Sequence, residues 1–368
     1  MAINPPFHAD HVGSLLRPRS VIDAHTAHAQ GKLTASALRE LEDKAIDDAI
    51  AMQERVGLHA VTDGEIRRNN WRDRFFERVD GFSKDKVQSS FTFTDFSGEK
   101  YSGMPVPVVV DTLKWRESLT SDDFAYLKPR TKRTAKATIP SPSANHFFSG
   151  DKGLAKSPYK DRKSFFADMT AIYRREITDL GKLGCTYLQI DEVPIAVLCD
   201  PANQAHVRQR GEDPDELIAD YIGAINDSVR DRPAGMTICV HLCRGNAGHG
   251  QASGGYDPVA ERLLQTTNVD GFFLEYDTDR AGSFAPLRYL PRDKSAILGI
   301  MSTKLQEVEP ADLLKRRVDE ASRYADLGRL GISPQCGFAS GYFVDRFSLD
   351  EQERKLAHLV KIAGEIWK

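Results

Sequence analysis

No apolar run in the sequence approaches the roughly 20 residues that a membrane-spanning helix needs. The longest, such as Val106 to Val110 and Ile297 to Met301, fall far short. The N-terminus Met1-Ala2-Ile3-Asn4-Pro5-Pro6 has no basic stretch leading into an apolar one, so no secretion signal is visible and a cytoplasmic location is expected. An excess of one charge is missing too. Fifty Lys+Arg stand against 53 Asp+Glu, a formal net charge of −3, which supplies no overall basic field for nucleic acid or an anionic membrane. Five cysteines in 368 residues are too few, and odd in number, for a disulfide framework; buried thiols, metal ligands or catalysis remain. No repeat, low-complexity tract or clean linker divides the chain. No G-x-G-x-x-G follows the first strand-like run. The stretch Gly248-His249-Gly250-Gln251-Ala252-Ser253-Gly254-Gly255 lacks a Walker Lys-Ser/Thr ending and reads as a mobile loop. What survives these exclusions is small-molecule chemistry in a soluble protein, and 40% hydrophobic residues suffice for a sizeable core.

Strand-like and helical runs alternate along the chain. Short apolar or β-branched stretches occur at His11–Leu15, His59–Glu65, Thr134–Ser141, Tyr187–Glu192, Met236–Cys243, Gly271–Asp277, Ser295–Ser302 and Arg329–Gly337. Between them lie helix signals. Asp213-Pro214-Asp215-Glu216 combines an N-cap, a proline at the first helical position and a capping carboxylate, and Ser348-Leu349-Asp350-Glu351 repeats the device. Pro310 opens another helix, and Ser36–Val56 reads as a long amphipathic one. Eight alternations predict an α/β fold, a (β/α)8 TIM barrel, as a single domain over 1–368. The irregular stretch Phe76–Arg133, with Ser90-Phe91-Thr92-Phe93-Thr94 and Val106–Val110, predicts an inserted hairpin or subdomain between the second and third strands, over the barrel mouth.

In such a barrel the chemistry sits where the strands end. The candidate ends carry Ser14, Glu65, Ser141, Asp191 with Glu192, His241 with Cys243, Glu275, Lys304 and Cys336. Residues 241 and 243 of His241-Leu242-Cys243 share one strand face, about 7 Å apart along it, and can converge on one ion. With Glu275 and Cys336 they form a soft N/S/O set suited to zinc rather than magnesium or calcium. Asp191 and Glu65 are the inward carboxylates expected to hold an ammonium group. Cys185, Cys199 and Cys239 read as buried small residues, and His8, Asp10 and His11 as structural.

At these residues the chain resembles the cobalamin-independent methionine synthase family, in its short single-barrel form. The resemblance rests on His11-Val12-Gly13-Ser14-Leu15, Asp63-Gly64-Glu65, Gln189-Ile190-Asp191-Glu192, His241-x-Cys243, Phe273-Leu274-Glu275-Tyr276 and Pro334-Gln335-Cys336-Gly337. It implies Zn2+ held by His241, Cys243, Glu275 and Cys336, and an amino-acid thiol held by Ser14, Glu65 and Asp191. The implied reaction methylates homocysteine to methionine, with methyltetrahydrofolate or another methyl carrier as donor; the implied partners are that small-molecule thiol and its donor. Two features depart from the long family members: Lys304 stands where they place a histidine acid, and Ile139-Pro140-Ser141-Pro142-Ser143 replaces their third-strand motif. Lys304 is the candidate catalytic acid, or an anchor for an anion. The alternative is alkylation of a different thiol, as in the epoxide:coenzyme M transferases, for which Arg17, Arg67, Arg68 and Arg244 are the candidate cations.

Overall fold

Strands buried on both faces must be joined by crossovers to lie parallel, and the alternation of apolar runs with helices meets that demand. The computed structural model describes residues 4–87, 89, 91–94, 100–102, 105–246, 252–341 and 347–368. Ser90 of the expected hairpin and residues 248–251 of the glycine-rich stretch lie outside that set. In chain order the strands are β1 (Ala60–Val61), β2 (Val79–Val87), β3 (Thr92–Thr94), β4 (Lys100–Ser102), β5 (Val106–Trp115), β6 (Thr134–Pro140), β7 (Tyr187–Glu192), β8 (Thr237–Leu242), β9 (Gly271–Glu275), β10 (Ser295–Met301) and β11 (Leu330–Pro334). Seven of them, in the order β1-β6-β7-β8-β9-β10-β11, form one curled sheet whose pairs are all parallel. All residues of β7, β9 and β11 are buried, as expected of strands covered on both faces.

The expected strand at His11–Leu15 does not form. Its four carbonyls from His11 to Ser14 are taken singly, by Lys136 Nζ, Gln189 Nε2, Thr62 Oγ1 and the Phe338 amide. Gly13, at φ +134°, turns the chain where a Cβ would lie 2.6 Å from Thr138. What stands at this position is a single parallel bridge between Ala9 and Ile332, supported by Asp10 N–Ile332 O (3.1 Å) and Ile332 N–His8 O (2.8 Å). On the other side the Leu15 amide donates to Gly64 O at 3.0 Å, so the segment lies between β11 and the loop after β1.

Helix starts follow their local signals. Thr34 caps Ala35–Arg55, Asp213 accepts from the amides of Asp215 and Glu216 at the start of Pro214–Val229, and Ser348 with Glu351 forms a reciprocal capping box on Leu349–Ile366. Between β1 and β6 lie two antiparallel pairs outside the main sheet, β2 with β5 and β3 with β4. Phe75 docks that region on the helix Arg162–Lys182 by stacking on Tyr173 at 5.4 Å. Among the described residues no helix is long and apolar enough to cross a membrane.

Candidate metal centre

The parallel register sets His241 of β8 beside Asp191 of β7, with Cys243 just past the strand end. Cys336 follows β11, and its sulfur lies 3.3 Å from that of Cys243. Both thiols are buried and free of any disulfide. The donor atoms of His241, Cys243 and Cys336 all lie within 4.8 Å of one another. Among the described residues no hydrogen-bond partner meets either ring nitrogen of His241, although both are buried.

Charge is shared unevenly in this cluster. The bond to Cys336, helped by His241, pulls the Cys243 thiol down to about 5. The same bond pushes the Cys336 thiol up, and burial adds to it. Burial opposes a proton on His241, yet Cys243, Asp191 and Glu275 together raise its pKa. Buried polar atoms normally find partners, so an imidazole with no well-formed hydrogen bond beside two sulfurs is a donor set that could hold a cation. Two sulfurs and one nitrogen suit zinc, and the residues fit that ion.

Glu275, at the end of β9, is not brought into this group. One oxygen accepts the Arg244 amide at 2.7 Å, and the other accepts Lys304 Nζ at 2.9 Å together with Arg280. Burial would raise its pKa, but Lys304 and Arg280 hold it down at about 2. Lys304 is itself fully enclosed, with Asp277 at 3.8 Å as a second carboxylate. Arg280 carried no signal in the sequence, and Asp277 stood only as the last residue of an expected strand. They lie five and two residues beyond the strand end, in a short turn without periodicity.

The carboxylates expected to meet an ammonium group are buried near the cluster. Asp191 accepts from Gln189 Nε2 at 2.7 Å, and burial, reinforced by the charge of Glu65, pushes its pKa up to about 7. Glu65 adopts φ +56°, rare for a residue with a side chain, and its Oε1 accepts from Thr138 Oγ1 at 2.8 Å. Its Oε2 is buried without a partner. Ser14 packs against the loop that carries Cys336: a Cβ on Gly337 would sit 1.8 Å from its Oγ. Gln189, which holds both Asp191 and the Val12 carbonyl, was missed, though its place two residues before Asp191 sets it on the same strand face. Glu192 points the other way, to Ser143 and the Ile195 amide.

The four candidate cations are engaged in structure. Arg17 reaches the carbonyls of Glu65 and Arg68, each at 2.7 Å, and Arg67 pairs with Asp43 and Asp123. Arg68 donates to Thr120 and Thr138, and Arg244 lies 4.2 Å over the Tyr256 ring. Cys185, Cys199 and Cys239 are buried, and Asp10 is spent on Lys136 and Tyr187.

Residues 7–364 match the family described as cobalamin-independent synthase, catalytic domain. The Bacillus subtilis (strain 168) protein YxjH is 39% identical over 99% of this chain and 95% of its own length. The methionine synthase of Pyrococcus abyssi is 24% identical over 89% of this chain and 84% of its own. A solved chain from Listeria monocytogenes superposes with a TM-score of 0.77 at 34% identity, covering 99% of this chain and 98% of that one. The chain therefore belongs to the cobalamin-independent synthase catalytic-domain family, as its strand-end residues indicated.

Proposed function

We propose that the protein is a zinc-dependent S-methyltransferase that converts homocysteine to methionine. One observation carries this reading: three buried soft donors, His241, Cys243 and Cys336, lie within 4.8 Å of one another beside the carboxylate of Asp191. The methionine synthase among its relatives supports it. Zinc bound there would lower the pKa of an incoming thiol from about 8.5 and so supply a thiolate nucleophile. Asp191 and Glu65 hold the α-ammonium group of the amino acid, oriented by Gln189 and Thr138. Ser14 meets the same molecule through its backbone and hydroxyl. The thiol sulfur attacks the methyl carbon, the new C–S bond forming as the bond to the departing group breaks. A departing amine must take up a proton, and Lys304 is the proposed donor, its ammonium held by Glu275 and Asp277. Glu275 is the remaining candidate zinc ligand, and that role requires it to leave Lys304 and Arg280. A single barrel over 1–368, closed by the N-terminal segment and covered by 76–133, completes the proposal. The test is a screen of metal-replete protein with homocysteine against methylated amines, folates and sulfonium compounds, reading thioether by mass. Methionine from at least one donor is expected. No thioether from any donor, or full activity in zinc-free protein, overturns the proposal.

A further inference from the structure

A buried cation outside the metal centre has no ion pair among the described residues. Arg72, just before the helix Asp73–Arg78, is 5% exposed. Its guanidinium lies 4.8 Å from the centre of the Phe148 ring and 5.3 Å from that of Phe76. Its Nε is buried without a partner, and no ion pair joins it to a described carboxylate. Its neighbours in sequence differ: Arg68 donates to threonines, and Arg74 meets Asp123 at 3.2 Å. Burial draws Arg72 down to about 10, with only Asp73 pulling the other way. An uncompensated buried charge is costly, and such groups concentrate where a ligand brings the missing charge.

The position suits a ligand. The Trp71 amide donates to Ser340 O at 3.1 Å, and Asn70 bridges to Gly341. Asn246 ties the same strip to the Cys336 loop, reaching Ser340 Oγ at 3.2 Å and Gly337 O at 2.9 Å. Arg72 is thus tied, through the two residues before it, to the segment that follows Cys336. A cavity of about 430 Å³ opens on it, large enough for part of a small molecule. Lys84 and Lys86 line that cavity with no ion pair among the described residues; its carboxylates are Asp73, Glu77 and Asp80, the last 3.3 Å from Arg116. A ring over the guanidinium face leaves its edge donors for hydrogen bonds, the geometry in which arginine takes an oxyanion.

We propose that Arg72 and this cavity bind an oxyanion, a carboxylate or phosphate group on the molecule that delivers the methyl group. Calling that molecule the methyl donor rests on the function proposed above; the anion site does not. Metal-replete protein is titrated with glutarate and with inorganic phosphate, by calorimetry and by thermal melting, as wild type, Arg72→Met and Arg72→Lys. At least one probe is expected to raise the wild-type melting temperature by about 3 °C near saturation. Its binding should weaken at least about tenfold in Arg72→Met and less in Arg72→Lys, which keeps the charge but loses the fork. Which probe binds separates a carboxylate ligand from a phosphate one. Equal anion binding by wild type and Arg72→Met, or none by wild type, overturns the site. Homocysteine binding, measured alongside, should not change in any variant; its loss in Arg72→Met would assign the residue to the thiol site instead. An Arg72-dependent anion site in a protein that forms no thioether leaves this inference standing while the methyl-transfer reading falls.

Discussion

His241, Cys243 and Cys336 at one rim of the sheet, and His146 of the helix Ala144–Phe147 with Asp151 and Glu212, each gather three metal-capable side chains within 4.8 Å. Their surroundings differ. In the second group His146 uses one ring nitrogen on Tyr221 at 3.0 Å and the other on Asp151 at 3.1 Å. Glu212 pairs with Arg210 at 2.5 Å and accepts the Asp151 amide, while Arg162 stands 3.6 Å from Asp151. Two arginines already supply the positive charge that an ion would bring. The first group has an imidazole without partners and two sulfurs that meet mainly each other. Ligand type and proximity are common to both; unspent lone pairs separate them.

The largest test of that contrast is Cys336→Ser. Bound zinc, by elemental analysis, should fall from about one per chain to near zero, with methyl transfer down at least about 10³-fold and helical signal retained. Asp151→Asn should leave zinc unchanged. Zinc kept by the first variant or lost by the second would erase the distinction. Next in size, Glu65→Gln and Asp191→Asn should raise KM for the thiol by roughly ten- to a hundredfold, the worth of a charge-assisted hydrogen bond, with zinc unaltered. An unchanged KM would remove the ammonium site.

Lys304→Met should slow turnover about tenfold more with an amine-leaving donor than with a sulfonium donor, because only the amine needs the proton. Equal slowing would confine Lys304 to holding Glu275. The smallest effect concerns a second buried imidazole. Cys243 and two carboxylates raise the pKa of His241, whereas burial and the Lys136 ammonium push His11 down to about 4. The unfolded chain takes up a proton on this histidine near pH 6.5 while the folded one does not, so its contribution is intact above 6.5 and is lost as pH falls toward 4. Between pH 6.5 and 5.5 the loss is about 1 kcal/mol. Denaturant midpoints should show this loss in wild type beyond that of His11→Gln; matching slopes would refute it.

Much of this was legible in the residue order. Parallel strands buried on both faces are uninterrupted apolar runs, so Tyr187–Glu192 was read to the residue, and Ser295–Ser302 overshot by one. Period two made His241-x-Cys243 a pair, and strand-end logic brought in Cys336. What stayed hidden depends on side chains meeting across distant elements. His11–Leu15 has strand-like composition, but Lys136, Gln189 and Thr62 take its carbonyls. Glu275 reads as a ligand, and the order of residues does not show that Lys304 and Arg280 meet its carboxylate. Arginines at 67, 68, 72 and 74 look alike in order, and only packing shows that Arg72 has no ion pair among the described residues.

The bridge between Ala9 and Ile332 also governs when the site is born. His8 stacks on Trp367 at 4.5 Å, adding a second contact between the chain's opposite ends. During synthesis residues 8–14 leave the ribosome early and have no strand to pair with until residue 332 emerges. Ser14 meets Gly337, and Cys336 meets Cys243, only after that moment. The nascent chain must therefore carry an open sheet edge until residue 332 emerges, and an unpaired Cys243 thiol until Cys336 follows. Both halves of the site become available together, when the last strand arrives.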